Sequence, residues 1–163
     1  MEMLAQYYDA MGQAIIAHEG TLERFAGDEL MIYFNDPVEV SNPEERAVRM
    51  AVGMRSDVAE LRKEWTRLGW DLGLGIGITT GYATLGAIGF EGRWDYAVIG
   101  TVTNQAARLC AAAEDGQILV AHRLLAKIEE FVEAVSVGEL VLKGFNRPVP
   151  AHKILGCSSP KSY

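Results

Sequence analysis

Apolar positions along this chain follow two rhythms, one with the period of a helix and one with the period of a strand. Leu4, Tyr8, Met11 and Ile15 recur at spacings of four, three and four, so they share one helical face. Gly20, after His18 and Glu19, suits the left-handed C-terminal cap of that helix. Two apolar runs, Thr21 to Phe25 and Leu30 to Phe34, flank Gly27-Asp28 and predict a β-hairpin. Asn42-Pro43-Glu44-Glu45 then opens a second helix, with Asn42 as cap, Pro43 in the first helical position and Glu45 completing a capping box. Its inward stripe is Ala47, Met50, Met54, Val58, Leu61, Trp65 and Leu68.

The next segment changes period. Leu72, Leu74, Ile76 and Ile78 alternate with Gly73, Gly75, Gly77 and Thr79, which predicts a strand with one nearly bare face. A face of glycines lets another element approach the backbone closely. Tyr82–Ile88 and Trp94–Ile99 read as strands around a loop at Gly89 to Arg93, and Thr103 to Ala113 as a helix. A short buried strand at Ile118 to Val120, a helix at Leu124 to Phe131, and strands near Val135–Leu142 and Val149–Leu155 complete the order. Helices mixed with hairpins predict an α+β, ferredoxin-like sandwich, a mainly antiparallel sheet with helices packed on it. Residues 1–157 form the expected domain, and 158–163 a polar tail.

Composition narrows the class. The 163 residues are 49% apolar and 23% charged, ordinary proportions for one globular domain. Eight of the 17 glycines lie between Gly69 and Gly92, as punctuation for strands and turns in one segment. No apolar stretch approaches the ~18–20 residues that span a bilayer. Cys110 and Cys157 alone make no disulfide framework, which points to the reducing cytoplasm. A net charge of −7 argues against a nucleic-acid partner, but not against a small anionic ligand carried with a metal ion.

Three places could carry chemistry. Asp28, at a hairpin tip, is placed as a divalent-metal ligand could be, although Gly-Asp is also ordinary turn chemistry. Asn104 and Arg108 stand at i and i+4 on one helix face, where an amide and a guanidinium can hold a ribose oxygen and a phosphate. That spacing equally fits a solvated face. Lys143 and Arg147 flank Gly144 in a turn that could reach a phosphate chain or simply face water. His18, His122 and His152 have no metal-ligand spacing with one another or with the cysteines, and Gly73-Leu74-Gly75-Ile76-Gly77 is not a dinucleotide fingerprint.

The order of these signals is more specific than any one of them. Gly20 through Asp28, Gly75-Ile76-Gly77-Ile78-Thr79-Thr80-Gly81, and Trp94 through Leu109 closely resemble the class III adenylate/guanylate cyclase catalytic domain. Leu142-Lys143-Gly144-Phe145-Asn146-Arg147-Pro148-Val149 is similar to that family's last hairpin, and the resemblance covers about residues 4–155. It implies attack of a ribose 3′-hydroxyl on the α-phosphorus of ATP or GTP, giving a 3′,5′-cyclic nucleotide and pyrophosphate. It also implies two Mg2+ or Mn2+ ions per complete site, and a homodimer whose protomers share each site. By resemblance Asp28 is the second of two metal-bridging aspartates, Asn104 orients the ribose, and Arg108 stabilises charge on the α-phosphate from the opposite protomer.

Departures from the family pattern shape the expectations. Arg24 stands where adenylate cyclases usually carry Lys and guanylate cyclases Glu, so it keeps a positive donor and leans towards ATP. Ala97 replaces a polar base-recognition residue, which removes a hydrogen bond and with it discrimination. Glu29 replaces a common glycine beside the metal aspartate. Phe145 falls near the family's phosphate-binding Lys, which leaves that role to Lys143 or Arg147. The family's first metal aspartate lies on a strand before the opening helix; nothing before Leu4 matches it, and Asp9 lies mid-helix. The chain therefore reads as a fragment of a longer protein with an upstream regulatory domain. Alone it is expected to show little or no cyclase activity and an exposed apolar sheet edge.

Overall fold

The computed structural model describes residues 2–26, 29–35, 39–82, 84–90 and 93–158, with backbone alone at 2, 24–26, 84–90 and 93–99. The opening helix, α1, spans Glu2–Ala17 and buries Tyr7, Met11, Ala14 and Ile15, a face turned slightly from the predicted one. Its C-terminus corrects the glycine assignment. Glu19, not Gly20, takes the left-handed conformation (φ 61°). Glu19 N–H bonds the Ile16 carbonyl and Gly20 N–H the Ile15 carbonyl, a Schellman closure. Gly20 is needed for space instead: a Cβ there would lie 3.1 Å from the Phe34 ring and 3.2 Å from Ile32 Cγ2.

Those two side chains belong to the predicted hairpin, β1 (Thr21–Ala26) paired antiparallel with β2 (Glu29–Tyr33). Helix α2 (Pro43–Arg67) follows and has two buried faces. Met50, Met54, Val58 and Trp65 pack with α1 and β2, while Val48 and Ala51 face the main sheet. Trp65 has no exposed surface and donates its indole N–H to Gln6 Oε1 at 2.7 Å, tying α2 to α1. Pro43 opens α2 as expected, but the capping box does not form. Asn42 is left-handed (φ 51°) and makes no side-chain cap bond; Glu45 pairs with Arg49 at 2.9 Å.

The main sheet has four strands in the order β3 (Ile76–Ile78), β6 (Ile118–Ala121), β8 (Val149–Cys157), β7 (Val132–Leu140). β3 is parallel to β6 and the other pairings are antiparallel. The strand predicted from Leu72 is paired only over β3. Upstream, the Leu74 amide is taken by the Asp115 carboxylate and its carbonyl by the Gly116 N–H, so a turn replaces a strand neighbour.

A separate hairpin, β4 (Thr84–Phe90) with β5 (Arg93–Ile99), lies between β3 and helix α3 (Thr101–Ala112) in the chain, and helix α4 (His122–Ile128) follows β6. Both faces of the sheet are covered. Ile118, Val120 and Ile154 pack with α2 and α4 on one face. Leu119, Ala121 and Ala151 pack with Leu109 of α3 on the other. β6 is an inner strand whose two faces are both packed, Ile118 and Val120 on one and Leu119 and Ala121 on the other, so it is buried at every position. The architecture is α+β, as the element order predicted.

Candidate functional site

Helix α3 rests on the bare face of β3 and of the segment before it. A Cβ on Gly77 would stand 2.3 Å from the Cys110 amide nitrogen and 2.5 Å from the Ala106 carbonyl oxygen. On Gly75 it would meet Ala113, and on Gly73 the Asp115 carboxylate. The alternating glycines thus admit a helix backbone where side chains would hold it away. Ala106, Leu109 and Cys110 form the inward face, and Leu109 is fully buried.

At 100° per residue, Asn104 and Arg108 lie roughly opposite that seat. Both are exposed. They therefore point away from the face by which α3 packs on the sheet.

A groove of about 760 Å³ runs between β2 and β3, with the apolar faces of α1 and α2 as its floor, including Met11, Met50 and Met54. β2 is paired on one side with β1, and β3 on one side with β6, so each has an unpaired edge among the described residues. Glu29 and Glu44 line this groove, and Glu44 Oε1 accepts from Thr80 Oγ1 at 3.2 Å. Neither Asn104 nor Arg108 lines it.

The remaining candidates are placed as follows. Asp28 lies outside the described residues. Arg24 pairs with Met31 across the first hairpin, and Ala97 with Gly86 across the second, both known at the backbone only. Lys143 and Arg147 are exposed on the turn between β7 and β8, where Gly144 is left-handed (φ 89°). Phe145 of this turn packs on the cluster that holds Leu109 and Leu142, so the turn lies against the inward face of α3.

Two side-chain clusters were not visible in residue spacing. Arg62 reaches Asp115 at 2.6 Å and Asp71 at 3.2 Å. The Arg62 hydrogen bond, and then the Leu74 amide, hold the Asp115 carboxyl below the usual carboxylate range. This cluster fastens α2 to the turn between α3 and β6. His122 Nδ1 and His152 Nε2 are 2.9 Å apart although 30 residues separate them; the β6–β8 register, with Val120 opposite His152, makes the pair. Burial, followed by the neighbouring His122, lowers the His152 pKa from the ordinary imidazole value.

Comparison with known proteins decides the family. The model of the adenylate and guanylate cyclase catalytic domain matches residues 1–156. The chain belongs to this cyclase family. The adenylyl cyclase CyaB from P. aeruginosa superposes with a TM-score of 0.89 at 33% identity, covering 95% of this chain and 81% of that one. The guanylyl cyclase Cya2 superposes at 0.87 with 30% identity, covering 98% and 81%. Adenylate cyclase 1 of Rhizobium meliloti is 26% identical over 157 residues, which make 94% of this chain and 24% of that protein. The chain thus spans about a quarter of the length of the curated relatives it matches.

The cyclase family generally uses divalent metal ions, so the donor set bears directly on function. Among the described residues no group of three or more His, Cys, Asp or Glu side chains could hold such an ion. Glu29 and Glu44 in the groove therefore do not make the metal site by themselves. No helix of the described residues is long and apolar enough to cross a membrane.

Proposed function

We propose that this domain, within a longer cytoplasmic protein, converts ATP to 3′,5′-cyclic AMP and pyrophosphate as part of a signalling dimer. The observation that carries this reading is the exposed Asn104–Arg108 pair, set opposite the glycine seat of α3 in a chain that matches the cyclase family over residues 1–156. In a head-to-tail dimer, that outward face supplies the partner's nucleotide site.

Asn104 orients the ribose by hydrogen bonds from its amide, so that the 3′-hydroxyl faces the α-phosphorus. Arg108 presents a planar fork of donors to the α-phosphate oxygens and offsets the charge that grows there during attack. Lys143 or Arg147, beside the same helix, binds the outer phosphates. Arg24, a positive donor, favours the adenine base. Mg2+ or Mn2+, when bound, supplies acidification of the 3′-hydroxyl and neutralises phosphate charge. In this chain Asp28 is the proposed ligand, and the described residues do not complete its site.

The groove between β2 and β3 supports the further reading that an upstream segment adds a strand there and brings the second carboxylate. Residues 1–157 are thus proposed as the domain without that strand, and 158–163 as its tail. The same groove favours a second reading, a dimerisation or nucleotide-sensing module without turnover. Assay with ATP, GTP and Mn2+ of the protein extended upstream of Met1 separates the two. Cyclic AMP formation, abolished by Asp28→Ala with the dimer retained, supports the enzyme; retained activity in that variant removes Asp28 from the metal site.

A further inference from the structure

We infer that Thr79 is a positioning residue, fixing the first turn of α3 in the place from which Asn104 and Arg108 act. The inference rests on the reading of those two residues given above.

The bare face of the β3 segment carries Gly73, Gly75, Gly77 and then Thr79, alternate residues on one side of an extended chain. Three of the four have no side chain. Glycines set how closely α3 approaches, but they offer no group to stop the helix from sliding or rolling. Thr79 supplies that group. Its hydroxyl, half-buried, donates to the Val102 carbonyl at 2.7 Å.

Val102 is two residues before Asn104, about 3 Å along the helix axis. The N-terminus of α3 has no other side-chain hold of this kind among the described residues. Gly100 at its N-cap position makes no side-chain cap bond, and its carbonyl accepts the N–H groups of Thr103 and Asn104 at 3.1 and 3.2 Å. Farther along, Gly77 contacts Ala106 and Cys110, and the Cys110 thiol donates to the Gly75 carbonyl at 3.4 Å. The helix is held at its middle and C-terminal end by close packing, and at its N-terminal end, among the described side chains, by the Thr79 hydroxyl. Asn104 and Arg108 sit on the unsupported side between these holds.

The test compares Thr79→Val, Thr79→Ser and Gly77→Ala with Asn104→Ala in the protein extended upstream of Met1, using ATP and MnCl2. Valine keeps the shape of threonine and removes the donor, while the Val102 carbonyl keeps its place in the helical bonding. The expected result is a fall in kcat of about tenfold for Thr79→Val, since small misplacements of reacting groups carry large rate penalties. KM for ATP changes less than about twofold and the melting temperature little, because ground-state binding and the core are intact. Thr79→Ser restores kcat. Gly77→Ala, if it folds, lowers kcat in the same way; if it does not fold, the Thr79 pair decides.

Wild-type kcat in Thr79→Val overturns the inference, as does a loss that serine does not repair. Full activity in Asn104→Ala overturns the underlying reading of α3 and the inference with it. Loss in Asn104→Ala beside unchanged Thr79→Val overturns the positioning role alone. An extended protein that makes no cyclic nucleotide overturns both.

Discussion

Gly77 meets Cys110 so closely that a Cβ on Gly77 would stand 2.3 Å from the Cys110 amide nitrogen. No side-chain rotation relieves such a contact, because a Cβ is fixed by its own backbone and the Cys110 nitrogen is backbone. The relationship fixes the depth at which α3 lies on the sheet and so where Asn104 and Arg108 emerge on its far side.

Glycine substitutions therefore separate into two kinds. Gly77→Ala must push α3 off the sheet and is expected to cost more than about 3 kcal/mol, the upper range for overpacking. Gly53, within α2, has nothing within 4 Å of its Cβ position. Gly53→Ala is expected to stabilise by about 0.5–1 kcal/mol through helix propensity. Urea unfolding of the two variants checks the contrast; equal effects would contradict the seat.

Trp65 joins α2 to α1 by burial and by its bond to Gln6. Trp65→Ala is expected to destabilise by about 3–5 kcal/mol through the cavity it leaves. Gln6→Ala leaves the buried indole N–H without its acceptor and is expected to cost about 1–3 kcal/mol. Denaturation midpoints at unchanged m-value measure both.

Asp115 gives an acid-dependent term. Its carboxyl is lowered by the Arg62 hydrogen bond, then by the Leu74 amide, so the unfolded chain binds its proton more readily than the folded one. Its contribution is complete above the ordinary carboxylate pKa of about 4 and is lost as pH falls through the lower folded value. Asp115→Asn should flatten this part of the stability–pH curve while leaving the region above pH ~6 parallel to wild type. A variant curve parallel to wild type below pH ~4 would contradict the assignment.

His152 is expected to titrate below the ordinary imidazole value of about 6.5, and His122→Ala to raise it part of the way back, since burial is the larger cause. Stability from this group is full above about pH 6.5 and falls as acidification passes the folded value. NMR titration of the imidazole signals in both proteins measures the shift directly. An unchanged His152 titration in His122→Ala would remove the coupling.

Much of this was legible in the residues because it is local and periodic. The alternation of Gly73, Gly75 and Gly77 announced a backbone approached closely, and Ala106 and Cys110 are what approach it. The α2 stripe held from Ala47 to Trp65, whereas Leu68 is half exposed where the helix ends. Caps were less legible. Several residue types can take a left-handed conformation, so Glu19 filled the place expected for Gly20, and a left-handed Asn42 made no cap. Pairings between distant segments were not legible at all. His122 with His152 and Arg62 with Asp115 depend on strand register and helix placement, and no spacing encodes these. At the site, the i, i+4 relation of Asn104 and Arg108 was readable, but their direction away from the seat required the packing of α3.

Product formation by the protein extended upstream of Met1, incubated with ATP and Mn2+ and analysed for 3′,5′-cyclic AMP and pyrophosphate, decides whether this domain is a cyclase. Both products are expected in equal amounts. Arg108→Ala is expected to lose at least about 100-fold in kcat, in line with removing a charge-stabilising donor, and residues 1–163 alone to give little or no product. No cyclic nucleotide from ATP or GTP, or full activity in Arg108→Ala, would contradict the cyclase reading.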